Sequence, residues 1–274
     1  MRDSACRNAS CRQELQSLAN RNRFALNVLD LDVTSDASVD EAVREALDRA
    51  GRIDVVLNNA GVGAVGVTEA FTAEEFQRLL DVNLLGAVRV NRAVLPAMRR
   101  QRSGLLIHVS SGAGRYVIPC MAAYCASKFA LEALADTYRF ELTPFGIDSV
   151  VIEPGVHRTP IFGKFAVPAD RERVVDYGSA AEYAERVRAR FDASVATLET
   201  PGPEALVEAL IRIVEIPAGR RPFRTVLTKN PDPRLEAYNA LAAELREAIA
   251  RKFDVPEPLT LRQNIPSHKE PKRG

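Results

Sequence analysis

Three short runs constrain most strongly what this chain can fold into: Ile53-Asp-Val-Val-Leu57, Leu105-Leu-Ile-His-Val109 and Ser149-Val-Val-Ile152. Each is close to continuous in apolar residues, and each ends in a polar or glycine-containing turn. A strand with one wet face alternates, whereas a strand that is apolar throughout is buried on both faces. Segments with helical periodicity separate the runs. Strand and helix in alternation, with strands of this kind, imply an α/β domain with a parallel sheet covered by helices on both sides.

The other elements follow from local signals. A helix is expected from about Cys11 to Ala19, capped by Ser10 with Gln13, and an alternating strand from Phe24 to Val33. Ser38 and Glu41 form a capping box for a helix with the stripe Val39, Ala42, Val43, Ala46 and Leu47, stopped by Gly51. Thr72 and Glu75 start a long helix through Leu95. A helix rich in Ala, Leu, Lys and Glu covers Ala122 to Leu142. From Val156 to Thr200 the rhythm changes: Phe162, Phe165, Tyr177, Tyr183 and Phe191 stand among charges in an insertion that either covers a site or packs as a surface excursion. A helix from Pro203 to about Glu215, a short edge strand Arg224 to Leu227 and a helix Pro233 to Phe253 complete the domain, taken as residues 1–255. The Pro-rich, charged stretch 256–274 reads as a mobile tail.

Composition excludes several classes. The formal net charge is +1 and the charges are interspersed, which gives no reason to expect nucleic acid or an acidic membrane as partner. No apolar run is long enough to span a bilayer, and Met1 to Arg12 has no apolar core of a secretory signal. Cys6, Cys11, Cys120 and Cys125 form no CxxC pairs and His108, His157 and His268 are scattered, so neither a metal site nor a disulfide framework is expected. A cytoplasmic, reduced protein is the default.

The chemistry concentrates in Tyr124-Cys-Ala-Ser-Lys128. Four residues apart on a helix, the phenol and the ammonium project from one face. A tyrosine titrates near ~10. An ammonium at about 4 Å would favour the phenolate by roughly 4 kcal/mol at an effective dielectric near 20, bringing it into range of proton exchange with an alcohol or carbonyl. Alone the spacing is common, and a partly buried tyrosine beside a surface lysine would explain it. In an open parallel sheet, however, ligands bind beyond the carboxyl ends of the strands. Four such ends here carry polar or glycine-rich turns: Asp32-Val33, Asn58-Asn59-Ala60-Gly61, Ser110-Ser111-Gly112 and Pro154-Gly155.

With those motifs in that order, the chain resembles the short-chain dehydrogenase/reductase family from its N-terminus to about residue 230. Tyr-Cys-Ala-Ser-Lys-Phe-Ala-Leu-Glu is similar to the hydroxysteroid- and retinol-dehydrogenase-like branch. The resemblance implies a Rossmann-like, doubly wound sheet in three layers. It also implies a nicotinamide-dependent oxidoreductase that interconverts a secondary alcohol and a ketone or aldehyde on a small, hydrophobic substrate. Tyr124 would be the acid/base. Lys128 would lower its pKa and hold the nicotinamide ribose. Ser111, thirteen positions before Tyr124, would bond the substrate oxygen, with Ser110 the fallback. Asn83 would support a proton-relay water, although by itself it reads as a solvated helix residue. Asp32 and Val33 would meet the adenine, and Asn58, Asn59, Ala60 and Gly61 would hold the sheet centre and border the cofactor. Pro154, Gly155 and Thr159 would contact the nicotinamide. Arg2, placed at the end of the family's second strand by its distance from Asp32, favours NADP(H) over NAD(H); Arg7 is the alternative. A homodimer or homotetramer, packed through the helices of Asn83 and Tyr124, is expected.

Two features run against the pattern. Gly61-Val-Gly-Ala-Val-Gly66 matches the dinucleotide fingerprint by letter, yet a helix is expected only from about Thr72, and a pyrophosphate loop must open a helix directly. The family's first strand and Thr-Gly-x-x-x-Gly-x-Gly turn are also missing before Asp32. The expectation is therefore an N-terminally truncated copy of the fold that exposes an apolar edge on the Ile53 to Leu57 strand. A non-catalytic binding or interaction protein, or an inactive fragment, is the competing reading.

Overall fold

A computed structural model describes residues 2–6, 9–197, 199–229 and 231–255, with side chains from residue 12 onward. The 256–274 tail lies outside the described residues. Strands and helices alternate as β1 (Arg2–Cys6), α1 (Ala9–Asn22), β2 (Leu26–Asp30), α2 (Asp36–Ala50), β3 (Val55–Asn58), α3 (Ala73–Leu80), α4 (Gly86–Gln101), β4 (Gly104–Val109), α5 (Ala122–Leu142) and β5 (Ile147–Pro154). The insertion contains α6 (Arg171–Asp176) and α7 (Glu182–Ala196), and the chain continues through α8 (Glu204–Glu215), β6 (Arg224–Leu227) and α9 (Pro233–Lys252).

Every strand pairing is parallel. β3, β4, β5 and β6 form one sheet in that order, and β1 pairs with β2 in a second. Alternate residues of the central strands serve opposite layers. Leu105, Ile107, Val150 and Ile152 pack on Ile213 of α8. Leu106 and Ile147 face the other way, onto Val94, Leu95 and Met98 of α4 and Leu142 of α5. That is the two-sided burial implied by continuous apolar runs. The outer edge of β3 has no partner strand among the described residues, and Val55 and Leu57 on it are 38% and 43% exposed.

Local details correct three expectations. Ser10 lies inside α1 rather than capping it. Helix α2 is capped by Ser35, whose hydroxyl accepts from Ser38 N at 3.3 Å, while Ser38 Oγ accepts from Asp32 N at 2.9 Å. The serine one turn earlier wins because the turn at Asp32 occupies Ser38. Pro154 belongs to β5 rather than to the loop after it. The Thr72–Glu75 capping box is present, with bonds of 3.2 and 2.9 Å. Helices α3 and α4 are joined by a π turn at Asp81–Leu85 that contains Asn83.

A polar knot, of which the sequence pointed only to Asn58, ties β3, β4 and α4 together. Asn58 Nδ2 donates to Asn91 Oδ1 at 2.9 Å and lies 3.4 Å from His108 Nδ1, and the His108 ring stacks on Tyr138 at 6.3 Å. His108 is fully buried, and desolvation lowers its pKa to about 4. The neutral imidazole is therefore the folded form. The unfolded chain binds the extra proton first, near the ordinary histidine value, so the stability it contributes is complete above about pH 6.5 and lost as pH falls toward 4. The His108→Gln variant should be less stable than the parent at pH 7, with the gap shrinking by about 3 kcal/mol in urea unfolding at pH 4. A gap independent of pH would refute this.

Candidate active site

Helix α5 places the central groups. Its uninterrupted span carries Tyr124 and Lys128 on one face, next to the carboxyl end of β4. Lys128 is 5% exposed, and its Nζ donates to Val109 O at 2.8 Å. Among the described residues no carboxylate lies within ion-pair distance of it. Burial pulls its pKa down to about 8, with Glu132 acting in the opposite sense. The Gly61 loop approaches the same ammonium: a Cβ on Gly61 would stand 3.7 Å from Nζ and 3.5 Å from Asn83 Oδ1.

Tyr124 departs from its expected electrostatics. Burial raises the phenol pKa, and the hydrogen bond to the Ser111 hydroxyl offsets only part of that rise. Lys128 Nζ stands 5.8 Å from the ring centroid and spends its bond on the Val109 carbonyl. The anticipated lowering by Lys128 is thus not seen: the ammonium stands over the ring and bonds the Val109 carbonyl, and burial sets the direction of the phenol.

The chain brings Ser111, Tyr124 and Lys128 together. Ser111 Oγ accepts from Ala113 N at 3.1 Å and faces the phenol. Ser110 turns away, its buried hydroxyl lying against the Glu132 carboxylate without an aligned hydrogen bond. Asn83 is buried at the base, with Oδ1 accepting from Val62 N at 2.8 Å. Its Nδ2 donates to Val62 O and to Ser127 Oγ, each at 2.9 Å. The amide is fully committed to bracing the Gly61 loop against α5.

The remaining sequence-named residues lie at the strand ends to varying degrees. Asp32 sits two residues past β2, its Oδ1 accepting from Thr34 N and Oγ1 at 3.0 and 2.7 Å. Val33 packs against Gly86 of α4, where a Cβ would meet it at 2.9 Å. Asn59 and Ala60 are exposed beyond β3. Gly155 N donates to Leu227 O at 2.8 Å, and Thr159 rims an open groove of about 520 Å³ with Phe162 and Val195. Arg2 is a correction: it opens β1 opposite Leu26, whereas the carboxyl end of that strand is Cys6 opposite Asp30. In a parallel sheet this puts Arg2 at the far edge from the site. The alternative, Arg7, lies outside the described residues.

The insertion covers the site. Ala166 N donates to Gly63 O and Val65 N to Ala166 O, both at 2.9 Å, which straps the segment onto the loop after β3. Phe165 then stacks 6.3 Å from Tyr124 and 5.4 Å from Phe162, with Phe191 closing the cluster at 5.1 Å from Phe162. The fingerprint-like glycines find their use here. A Cβ on Gly63 would lie 2.2 Å from the Phe165 ring, and one on Gly66 would lie 2.4 Å from Pro168. They make room for the strap rather than for a phosphate, and α3 begins only after Thr72.

A family model described as short chain dehydrogenase matches residues 4–168. The chain belongs to the short-chain dehydrogenase family. It is 31% identical to retinol dehydrogenase 8 of Homo sapiens over 243 residues, which is 88% of this chain and 68% of that protein. It is 40% identical to a 3-ketodihydrosphingosine reductase of Bacteroides thetaiotaomicron over 140 residues, 51% of this chain and 52% of the relative. With this relative and several others, such as an uncharacterized oxidoreductase of Schizosaccharomyces pombe, the chain spans about half of the relative's length. A solved short-chain dehydrogenase from Streptomyces avermitilis superposes with a TM-score of 0.71 at 26% identity, covering 92% of this chain and 87% of that one.

What the sequence missed is a buried charge network behind Lys128: Glu132, Glu153, Arg224, Asp136, Arg115 and Asn239. One signal was available, since Glu132 continues the four-residue spacing of Tyr124 and Lys128.

Replacing Gly63 by Ala tests the strap. The methyl would overlap Phe165, and crowding of that kind costs about 1–3 kcal/mol. The variant should unfold at lower urea concentration and make Tyr124 more accessible to tetranitromethane. Unchanged stability and nitration would contradict the packing.

Proposed function

We propose that this chain carries the active site of a cytoplasmic NAD(P)-dependent oxidoreductase that interconverts a secondary alcohol and a ketone or aldehyde on a small hydrophobic substrate. The observation that carries the reading is the convergence of the Ser111 hydroxyl, the Tyr124 phenol and a buried, unpaired Lys128 ammonium at the carboxyl ends of parallel strands. The aromatic strap of Phe162, Phe165 and Phe191 supports an apolar substrate.

The residues fit the nicotinamide-ribose end of such a cofactor. Lys128 has donor capacity left after its single bond to Val109, and Gly61 leaves the approach to it open. Pro154, Gly155 and Thr159 would border the ring, with Asp32, Val33, Asn59 and Ala60 toward the adenine. The cofactor would supply or accept a hydride. Ser111 would hold the substrate oxygen, and Tyr124 would pass it a proton. A phenol kept protonated by burial is suited to donating, which favours carbonyl reduction. Asn83 would act through the loop it braces. Arg7, which follows Cys6 in the sequence, takes over from Arg2 as the ground for preferring NADP(H), since a cation there suits a 2′-phosphate. The exposed Leu85 and Phe129, near and on the Asn83 and Tyr124 helices, support pairing into a homodimer or homotetramer.

One observation favours the competing, non-catalytic reading: among the described residues no glycine-rich turn opens an α-helix, and so none of them forms a pyrophosphate cradle of that kind. Two measurements separate them. NADPH titrated into the protein should give saturable binding, tighter than NADH, and kcat/KM should show the same order; no binding of either would favour the non-catalytic protein. In an active preparation, Tyr124→Phe should lower kcat by at least about 100-fold, the usual scale of acid–base catalysis, with cofactor affinity nearly unchanged. Retention of most turnover would remove Tyr124 from the chemistry.

A further inference from the structure

Among the described residues the buried Lys128 ammonium has no ion pair, and a charge in such a place needs a counter-charge nearby to persist. The π turn offers the neutral Asn83, the loop after β3 offers Gly61, and β4 offers the Val109 carbonyl. Arg115 and Glu153 face one another and Asn239, with Asn239 Nδ2 donating to Glu153 Oε2 at 2.8 Å. Arg224 of β6 is spread over Glu132 at 2.9 Å, Asp136 at 2.7 Å and Glu153 at 3.2 Å. On α5 itself the groups are Tyr124 and, one turn beyond Lys128, Glu132. Glu132 is 2% exposed and is the one carboxylate whose field acts on Lys128.

The geometry of Glu132 suits that role. Arg224 holds it by Oε2 alone, and its Oε1 is buried without a hydrogen-bond partner. Gly114 lets the helix and the Ser110 turn close over it: a Cβ there would lie 2.7 Å from Ser110 Oγ, 3.0 Å from Glu132 Cγ and 3.2 Å from Lys128 O. The carboxyl group is therefore fixed in a dry site, where burial raises its pKa against the pull of Arg224 and where its charge acts over several ångströms. We propose that Glu132 is a positioning residue, the counter-ion that keeps the Lys128 ammonium charged and aimed at Val109 and the Gly61 loop. Its consequence for catalysis rests on the oxidoreductase reading; its effect on Lys128 does not.

The chain has six lysines, few enough for lysine side-chain carbon NMR to follow Lys128 through a pH titration. In the parent, Lys128 should titrate near 8. In Glu132→Gln, where Arg224 keeps Asp136 and Glu153, it should titrate about one pH unit lower or more. Glu153→Gln is the control: it disturbs the same arginine and asparagine, so it should lower the melting temperature yet leave the Lys128 titration in place. If Glu132→Gln fails to fold, Glu132→Asp should give a smaller fall in the same direction. An unmoved Lys128 in the glutamine or aspartate variant, or an equal fall in Glu153→Gln, would overturn the proposal. In an active preparation the alkaline limb of the kcat/KM profile should also move to lower pH in Glu132→Gln and partly return in Glu132→Asp. A shifted NMR titration in a protein without turnover would uphold the Glu132 role while sinking the oxidoreductase reading.

Discussion

The 2.8 Å bond from Lys128 to the Val109 carbonyl is the contact on which the site depends. It joins the middle of α5 to the last residue of β4 and fixes how the helix lies across the strand ends. An ammonium enters a dry interior only at a substantial desolvation cost, so the contact has to be supported from several sides. Asn83 braces the loop that approaches it, and the π turn at Asp81–Leu85 carries Asn83 there. Behind it, Arg224 gathers three carboxylates from α5 and β5 into one network.

In front of Lys128 the controlling interactions are apolar. The strap is stitched to the loop after β3 by two backbone bonds and held by Phe165 against the bare face of Gly63. This cover keeps Tyr124 protonated, while Lys128 behind it is easier to deprotonate than a free lysine. Two neighbouring groups are thus displaced in opposite directions, the phenol up and the ammonium down. The same burial produces both displacements, because desolvation penalises whichever form is charged.

Much of the fold was legible because parallel strands are buried on both faces and therefore read as apolar runs. β4, β5 and the full span of α5 follow from that and from an unbroken helical composition. Boundaries failed where side chains had competing partners. Ser38 looked like a cap but is taken by the Asp32 turn, and Ser35 caps instead. Tyr124 and Lys128 were legible from their spacing and Ser111 from the family resemblance; the direction of the Tyr124 pKa was not, since it depends on residues some forty positions away that fold over it. Arg2 was misplaced because a single spacing located the strand without showing where it ends. The glycines of the false fingerprint show the same limit: their letters suit a phosphate, but their neighbours are Phe165 and Pro168.

Burial, rather than the neighbouring ammonium, governs the Tyr124 phenol. Ultraviolet difference titration of the parent against Tyr124→Phe isolates that one phenol. Tyr124 should ionise above the ordinary tyrosine value near ~10. An ionisation between about pH 7 and 9 would mean that Lys128 dominates, and would contradict it.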